Sequence, residues 1–396
     1  MAKKRDTGFV CTDCGQNYPK WQGHCSACGS WNTIKEFKGA AYPGGDPAGG
    51  RVDAAATTPR AVKALHEIAA AEVPPRIGSD FPDVDAVLGG GVVAGAVVLI
   101  GGEPGIGKST LLLQLFAQWQ QRDARCLYIS GEESLQQLYL RARRLQIHDS
   151  TVAVLSETSC EHILARWDEH TPAIVVIDSI QTLYSSDIEG PPGGVAQIRH
   201  CVGQLIARAK ACNCALFLIG HVTKQGAIAG PRLIEHMVDT VISFESDSQN
   251  MYRIVRSIKN RFGPAGEIAV LSMDARGLSP VHNPSQLFLP HETSPQPGTC
   301  ATAIAEGSRI LVIEIQALVT PSHYGVPQRV CAGLNQKKLA LLCAVLEKHA
   351  GVDLGTHDVF INVAGGLTVT ETAADAAICA ALLSSFLDKT LAGATA

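Results

Sequence analysis

Gly101-Gly-Glu-Pro-Gly-Ile-Gly-Lys-Ser-Thr110, set between the apolar run Val97-Val98-Leu99-Ile100 and the leucine-rich stretch Leu111 to Trp119, decides how this chain folds. Gly102, Gly107, Lys108 and Ser109 carry the spacing G-x-x-x-x-G-K-S of a phosphate-binding loop. Glycines let the backbone turn tightly and aim its N–H groups inward, and the following helix adds its positive N-terminal end. The lysine then reaches the outer phosphates and the hydroxyl can sit on Mg2+. The flanks agree with this reading. The apolar run reads as a buried strand, and Leu112, Leu115, Phe116 and Trp119 recur at i, i+3, i+4, i+7, as on a helix packed against a sheet. A glycine-rich turn matching by accident would bring neither. Gly102, Glu103, Pro104, Gly105, Ile106, Gly107, Lys108, Ser109 and Thr110 are the expected nucleotide contacts, with Ser109 on Mg2+.

Outward from the loop, Cys126–Ser130, Val152–Leu155, Ile174–Ile177, Leu216–Ile219 and Val238–Phe244 are further strand-like runs, mostly separated by helical patterns. That alternation predicts one α/β domain over 59–282, with a largely parallel sheet, helices on both faces and the active edge at the strands' C-terminal ends. Three features fall where a nucleotide hydrolase needs them. Asp178 ends a buried strand, the position from which such domains hold the Mg2+ shell, although an Asp there also serves as a turn former. Glu132 and Glu133 end the preceding strand, where a carboxylate can take a proton from the attacking water. Ser134 and Gln137 make a capping box beside them, so capping and catalysis can coexist. Lys259 and Arg261 lie two apart in a strand-like stretch, so they share a face, either as solvated edge residues or as a pair offered to a phosphate across a subunit boundary.

The 396 residues, 46% hydrophobic and 18% charged, are enough for two or three domains with real cores and exclude a disordered chain. No apolar run of 18 residues and no apolar stretch behind Lys3-Lys4-Arg5 is present, which points to a cytoplasmic protein without a membrane span. A net charge of −4 leaves any nucleic-acid contact to local basic patches. Of the 13 cysteines, Cys11, Cys14, Cys25 and Cys28 form C-x2-C-x10-C-x2-C, which suits a closed tetrahedral Zn2+ site, and the rest suit reduced, buried thiols. A segment with so little core, 1–38, draws its folding free energy largely from the metal, on the order of 10 kcal/mol. The redox alternative lacks a thioredoxin-like unit beside it. Tyr18, Lys20, Trp21 and Trp31 either form a mini-core there or stack on bases. Residues 39–58, rich in Gly, Pro and Ala, read as a flexible linker.

The order of these motifs, namely a four-cysteine module, then GGEPGIGKST, YISGEES, VVIDSIQTLY, IGHVTKQGAIAGPRLIEHMVDT and Lys259-Asn-Arg-Phe-Gly263, resembles the bacterial RadA/Sms family of DNA repair proteins over essentially the whole chain. The resemblance implies a RecA-like P-loop ATPase core, with ATP, Mg2+ and Zn2+ as cofactors, assembled as a homo-oligomer in a hexameric ring. It also implies an ATP-dependent, helicase-like motor on single-stranded and branched DNA that drives branch migration in recombination and repair with RecA. In that role Lys108 and Ser109 bind nucleotide and Mg2+, Glu132 activates water, Asp178 supports the metal, and Lys259 and Arg261 act across the subunit interface. Lys224 and Arg232, in the loop after His221, are candidate DNA contacts, as is the loop 185–194. His221 is placed either to sense the γ-phosphate or as a plain hydrogen-bonding residue. The alternative is a nucleotide-gated adaptor that binds single-stranded DNA and loads or modulates RecA without translocating.

Residues 283–396 resemble the Lon-protease-like α/β domain of the same family. Ala373 stands where a Lon peptidase has its serine, which implies a scaffold without proteolytic activity, and Ser384 and Ser385 read as helix-surface residues. Set against the family pattern, this domain is expected to be incomplete at Ala396.

Overall fold

A computed structural model of the chain describes residues 8–11, 17–18, 20–26, 31–37, 75–147, 152–221, 233–246, 252–281, 283–285, 289, 296–323 and 325–391. Cys14, Cys28, the linker 39–58, Lys224 and Arg232 lie outside the described residues. The chain divides into two compact units, Met1–Ile242 with Lys259–Phe262, and Ser243–Ile258 with Gly263–Ala396.

The first unit begins with three short strands, β1 (Gly8–Cys11), β2 (Asn17–Tyr18) and β3 (Ile34–Phe37), paired antiparallel in the order β2-β1-β3. Cys11, Cys25 and Ile34 form its centre, with Phe9 and Tyr18 packed on them. Tyr18 thus joins the mini-core, whereas Lys20 is exposed and Trp21 and Trp31 are 59% and 72% exposed, outside it; Trp31 packs against the His24 ring at 4.9 Å.

After helix α1 (Pro82–Val87), β4 (Val97–Gly102) leads through the glycine loop into α2 (Lys108–Gln121). There follow β5 (Cys126–Ser130), α3 (Leu135–Arg144), β6 (Ala153–Ser156), α4 (Cys160–His170), β7 (Ile174–Asp178), α5 (Val195–Ala211), β8 (Ala215–His221), α6 (Leu233–Met237) and the start of β9 (Thr240–Ser246). Strands β4-β8-β7-β5-β6 lie side by side in that order, every neighbouring pair parallel. Every residue of β4, β5 and β7 is buried, the pattern of strands covered on both faces, while the edge strand β6 alternates. Strand side chains alternate between the two helical layers. Val97, Leu99, Leu127, Ile129, Val175 and Ile177 pack with Ile163 and Trp167 of α4 and with Ile198, Val202 and Leu205 of α5. On the opposite face Tyr128 meets Phe116 of α2 edge-on at 5.8 Å, and Trp119 lies against Phe217 at 5.3 Å. The four α2 residues chosen by helical spacing, Leu112, Leu115, Phe116 and Trp119, are all buried.

In the second unit, β10 (Tyr252–Asn260), β11 (Ile268–Asp274) and β12 (Gly277–Pro280) form an antiparallel meander. Ile254, Ile268 and Val270 share a core with the residues that follow. The sequence reading groups these strands within 59–282; by contacts they cluster with the C-terminal part. Their alternation is the same in either grouping, so the pattern carried no sign of which core they join. A four-stranded sheet, β13 (Thr299–Glu306), β14 (Arg309–Pro321), β15 (Arg329–Ala332) and β16 (His357–Val363), has the order β13-β14-β16-β15 with one parallel pair, β15/β16. Helices α7 (Gln336–Ala350) and α8 (Asp375–Phe386) complete it. Ala373 sits in the turn Thr372–Ala374 that feeds α8. Ser384 and Ser385 are not the helix-surface residues the sequence suggests. Ser384 is buried, accepting from Gly298 N at 2.9 Å and donating to Lys389 O at 2.5 Å, and Ser385 Oγ accepts from Val319 N at 2.9 Å. The two hydroxyls dock α8 onto the backbone N–H groups of Gly298 and Val319.

Candidate nucleotide site

The parallel strands of the first unit end together. In register, Gly102 of β4 stands beside His221 of β8, and Ser130 of β5 beside Asp178 of β7. The glycine loop rises from this edge with Glu103, Pro104 and Gly105 exposed, while Ile106 turns into the core, so Ile106 can offer a ligand only its backbone. Gly107 caps α2 at φ 119°, a left-handed conformation that a side chain would strain. The result is a helix N-terminus open to an anion, with Lys108 as the first helical residue.

Lys108 is only 4% exposed, and its ammonium donates to Gly102 O and Glu103 O, each at 2.8 Å, with His221 Nδ1 at 3.4 Å. Burial depresses its pKa to about 8, although the carboxylates of Asp178, Glu132 and Glu103 favour the charged form. Asp178, 6% exposed, accepts a 2.5 Å hydrogen bond at Oδ2 from the Tyr128 hydroxyl. Oxygen donors from Asp178 and Ser109 beside a buried lysine suit a hard divalent cation.

The adjacent carboxylates separate in space. Glu132 Oε1 accepts from the Ser179 hydroxyl and lies 3.0 Å from His221 Nε2. Burial alone would raise its pKa, but those two hydrogen bonds and the charges of His221 and Lys108 outweigh it and hold Glu132 below the usual carboxylate range. Glu133 is turned away onto Arg141, and burial lifts its pKa despite that partner. The capping box of Ser134 and Gln137 forms as the spacing predicts, alongside Glu132 in the site. Gly131, before them, has no room for a side chain: a Cβ there would stand 2.0 Å from Thr182 Oγ1.

His221 is the last residue of β8 and bridges Lys108 and Glu132 through its two ring nitrogens. The loop 185–194 is fastened from within, with buried Gln197 donating to Ile188 O at 2.6 Å and accepting from Ser185 N at 2.8 Å.

Lys259 and Arg261 do not reach the glycine loop of their own chain. Lys259 Nζ donates to Glu235 O and Val238 O, both at 2.8 Å, where α6 ends. Arg261 lies one residue beyond the end of β10, so the two do not share one strand face; its guanidinium, 62% exposed, meets Asp239 Oδ1 at 3.4 Å. The same Asp239 carboxylate accepts from Val97 N at 3.0 Å and pairs with Lys210. Arg261 is therefore anchored at the beginning of β4, while the phosphate loop is at its end, about 17 Å away over five strand steps.

In the N-terminal module, Cys11 and Cys25 are fully buried, Cys11 Sγ 3.1 Å from Thr33 Oγ1 and Cys25 Sγ 3.1 Å from Tyr18 Oη. Two buried thiols in one small cluster, each beside a hydroxyl, suit a thiolate metal site. Sequence reasoning missed Tyr128, Ser179, Gln197 and Asp239. Tyr128, Ser179 and Asp239 lie inside the quoted motifs, but nothing in their spacing marks them as polar partners.

Residues 58–227 match the AAA domain family, and residues 9–36 match the rubredoxin metal binding domain. The DNA repair protein RadA of Pseudomonas aeruginosa is 47% identical over 391 residues, covering 99% of this chain and 85% of that protein. The RadA proteins of Bacillus subtilis (45% over 390 residues, 98% and 84% covered) and Escherichia coli (44% over 394 residues, 99% and 85%) are similarly close. The chain thus carries a nucleotide-binding ATPase domain with a RecA-like core and a zinc ribbon. Among the described residues, no helix is long and apolar enough to cross a membrane.

Proposed function

The chain belongs to the RadA family of DNA repair proteins, and from that premise we propose that it is a cytoplasmic, ATP-driven motor on single-stranded and branched DNA that promotes branch migration of recombination intermediates alongside RecA. The observation that carries this reading is His221, which joins the phosphate-binding Lys108 to the carboxylate of Glu132 and is the last residue before the segment 222–232. Whatever occupies the loop acts on Lys108 and, through His221, on the chain that carries the candidate DNA contacts Lys224 and Arg232.

In the hydrolytic step Lys108 leaves the carbonyls of Gly102 and Glu103 for the outer phosphates. Glu132, ionised at neutral pH, orients water and accepts its proton. Ser109 and Asp178 would hold Mg2+, which when bound would supply positive charge beside the phosphate oxygens. Arg261, too far from its own loop, is offered with Lys259 to the loop of the next subunit in a hexameric ring. Cys11, Cys14, Cys25 and Cys28 hold structural Zn2+. The segment 283–396 serves as a Lon-like scaffold without a nucleophile at Ala373, and purified protein should leave casein intact.

Lys108→Ala should abolish ATP hydrolysis and branch migration of a synthetic three-strand intermediate while the fold persists; undiminished migration sinks the motor. Arg261→Ala should also be inactive, and mixing it with Lys108→Ala should restore hydrolysis at shared interfaces, which a role within one subunit does not permit. Migration by wild type seen only when RecA is present assigns the adaptor role instead.

A further inference from the structure

Tyr128 is fully buried in the middle of β5, a strand whose Leu127 and Ile129 serve the core, and its ring is fixed edge-on against Phe116 of α2. A tyrosine placed there for packing alone would leave a hydroxyl to be satisfied by whatever backbone is near. Instead its hydroxyl donates to Asp178 Oδ2 at 2.5 Å, one of the protein groups that stand ready for the cation.

A phenol has one proton. That proton goes to the carboxylate, and engaging Oδ2 fixes the carboxylate plane with Oδ1 left for a ligand. We propose that Tyr128 is a positioning residue for the metal of this site: one buried hydroxyl sets the orientation of the Asp178 carboxylate at the end of β7 before any nucleotide arrives. The proposal rests on the reading of the loop as a Mg2+-nucleotide site.

The test is Tyr128→Phe in the full chain, which keeps the ring against Phe116 and removes one oxygen. A fluorescent ADP analogue is titrated first in EDTA and then at rising Mg2+. Outer partners of metal ligands typically control 10- to 100-fold in metal affinity. The variant should therefore match wild type within about twofold in EDTA, yet need at least about tenfold more Mg2+ for the half-maximal gain in affinity. Asp178→Ala removes the acceptor, so adding Tyr128→Phe to it should change the Mg2+ requirement little beyond Asp178→Ala alone. An unchanged Mg2+ requirement in Tyr128→Phe, or additive effects in the double variant, overturns the proposal. So does failure of Tyr128→Phe to fold, because the hydroxyl would then serve the core. If wild type itself shows no Mg2+-dependent gain, the reading of the site fails, not merely the role of Tyr128.

Discussion

Raising the pH from 7 to 9 should weaken nucleotide binding about tenfold, because the lysine of the loop loses its proton over that interval in the empty site. Burial holds Lys108 near pH 8 rather than at the usual 10.5. The charged fraction of the empty site then falls from about nine-tenths at pH 7 to about one-tenth at pH 9. Bound phosphates restore the charge, so binding must draw a proton from solvent, about 0.1 per nucleotide at pH 7 and about 0.9 at pH 9. The expected loss is about 1.4 kcal/mol of binding free energy. Calorimetry with ADP in buffers of differing ionisation enthalpy reads both quantities, and Lys108→Arg, whose side chain does not titrate, should show no slope. Affinity that stays within twofold between pH 7 and 9, with no proton uptake, refutes the burial argument. In the nucleotide-free fold the trend is reversed. Below pH 8 the folded chain shelters a charge that the unfolded chain would hydrate, so the Lys108 contribution to stability improves as pH climbs from 8 toward 10.5.

Other outcomes follow from the same geometry. Glu132→Gln should lower the ATPase rate by about 10²- to 10⁴-fold while ADP binding persists, whereas Glu133→Gln, facing Arg141, should cost far less in rate; equal losses in steady-state kinetics would contradict the division of labour. Gly131→Ala drives a methyl into Thr182 and should destabilise the fold by about 1–3 kcal/mol in thermal denaturation, with the ATPase falling alongside because Glu132 is next in sequence. Cys25→Ser should release the metal, near one Zn2+ per chain in wild type by elemental analysis, and leave ADP binding by the separate loop intact.

Much of the nucleotide domain was legible because its signals are local. The strand at 97–100 and the helical spacing of Leu112, Leu115, Phe116 and Trp119 each follow from burial on one element, and the observed strands depart from the runs read in sequence by only a few residues at their ends. Glu132, Asp178 and His221 could be singled out as candidates because they stand at or just past strand ends, where a parallel sheet collects its chemistry. What escaped was what depends on pairs distant in sequence. Tyr128 and Asp178 are 50 residues apart. Nothing in the alternation of Tyr252 to Asn260 says which core its apolar face joins, or that the strand stops short of Arg261. Ser384 and Ser385 looked like surface residues because serine on a helix usually is, and only their contacts with Gly298 and Val319 show otherwise.

Asp239 has a consequence for inheritance. One carboxylate secures the first residue of the strand that bears the phosphate loop and also the arginine that, on the ring reading, is lent to a neighbour. A chain altered at Asp239 would thus forfeit its own pocket and spoil the adjoining one, whereas a chain altered at Lys108 would spoil only its own. In a cell carrying both alleles, a minority of Asp239 subunits would poison assemblies more strongly than the same number of Lys108 subunits.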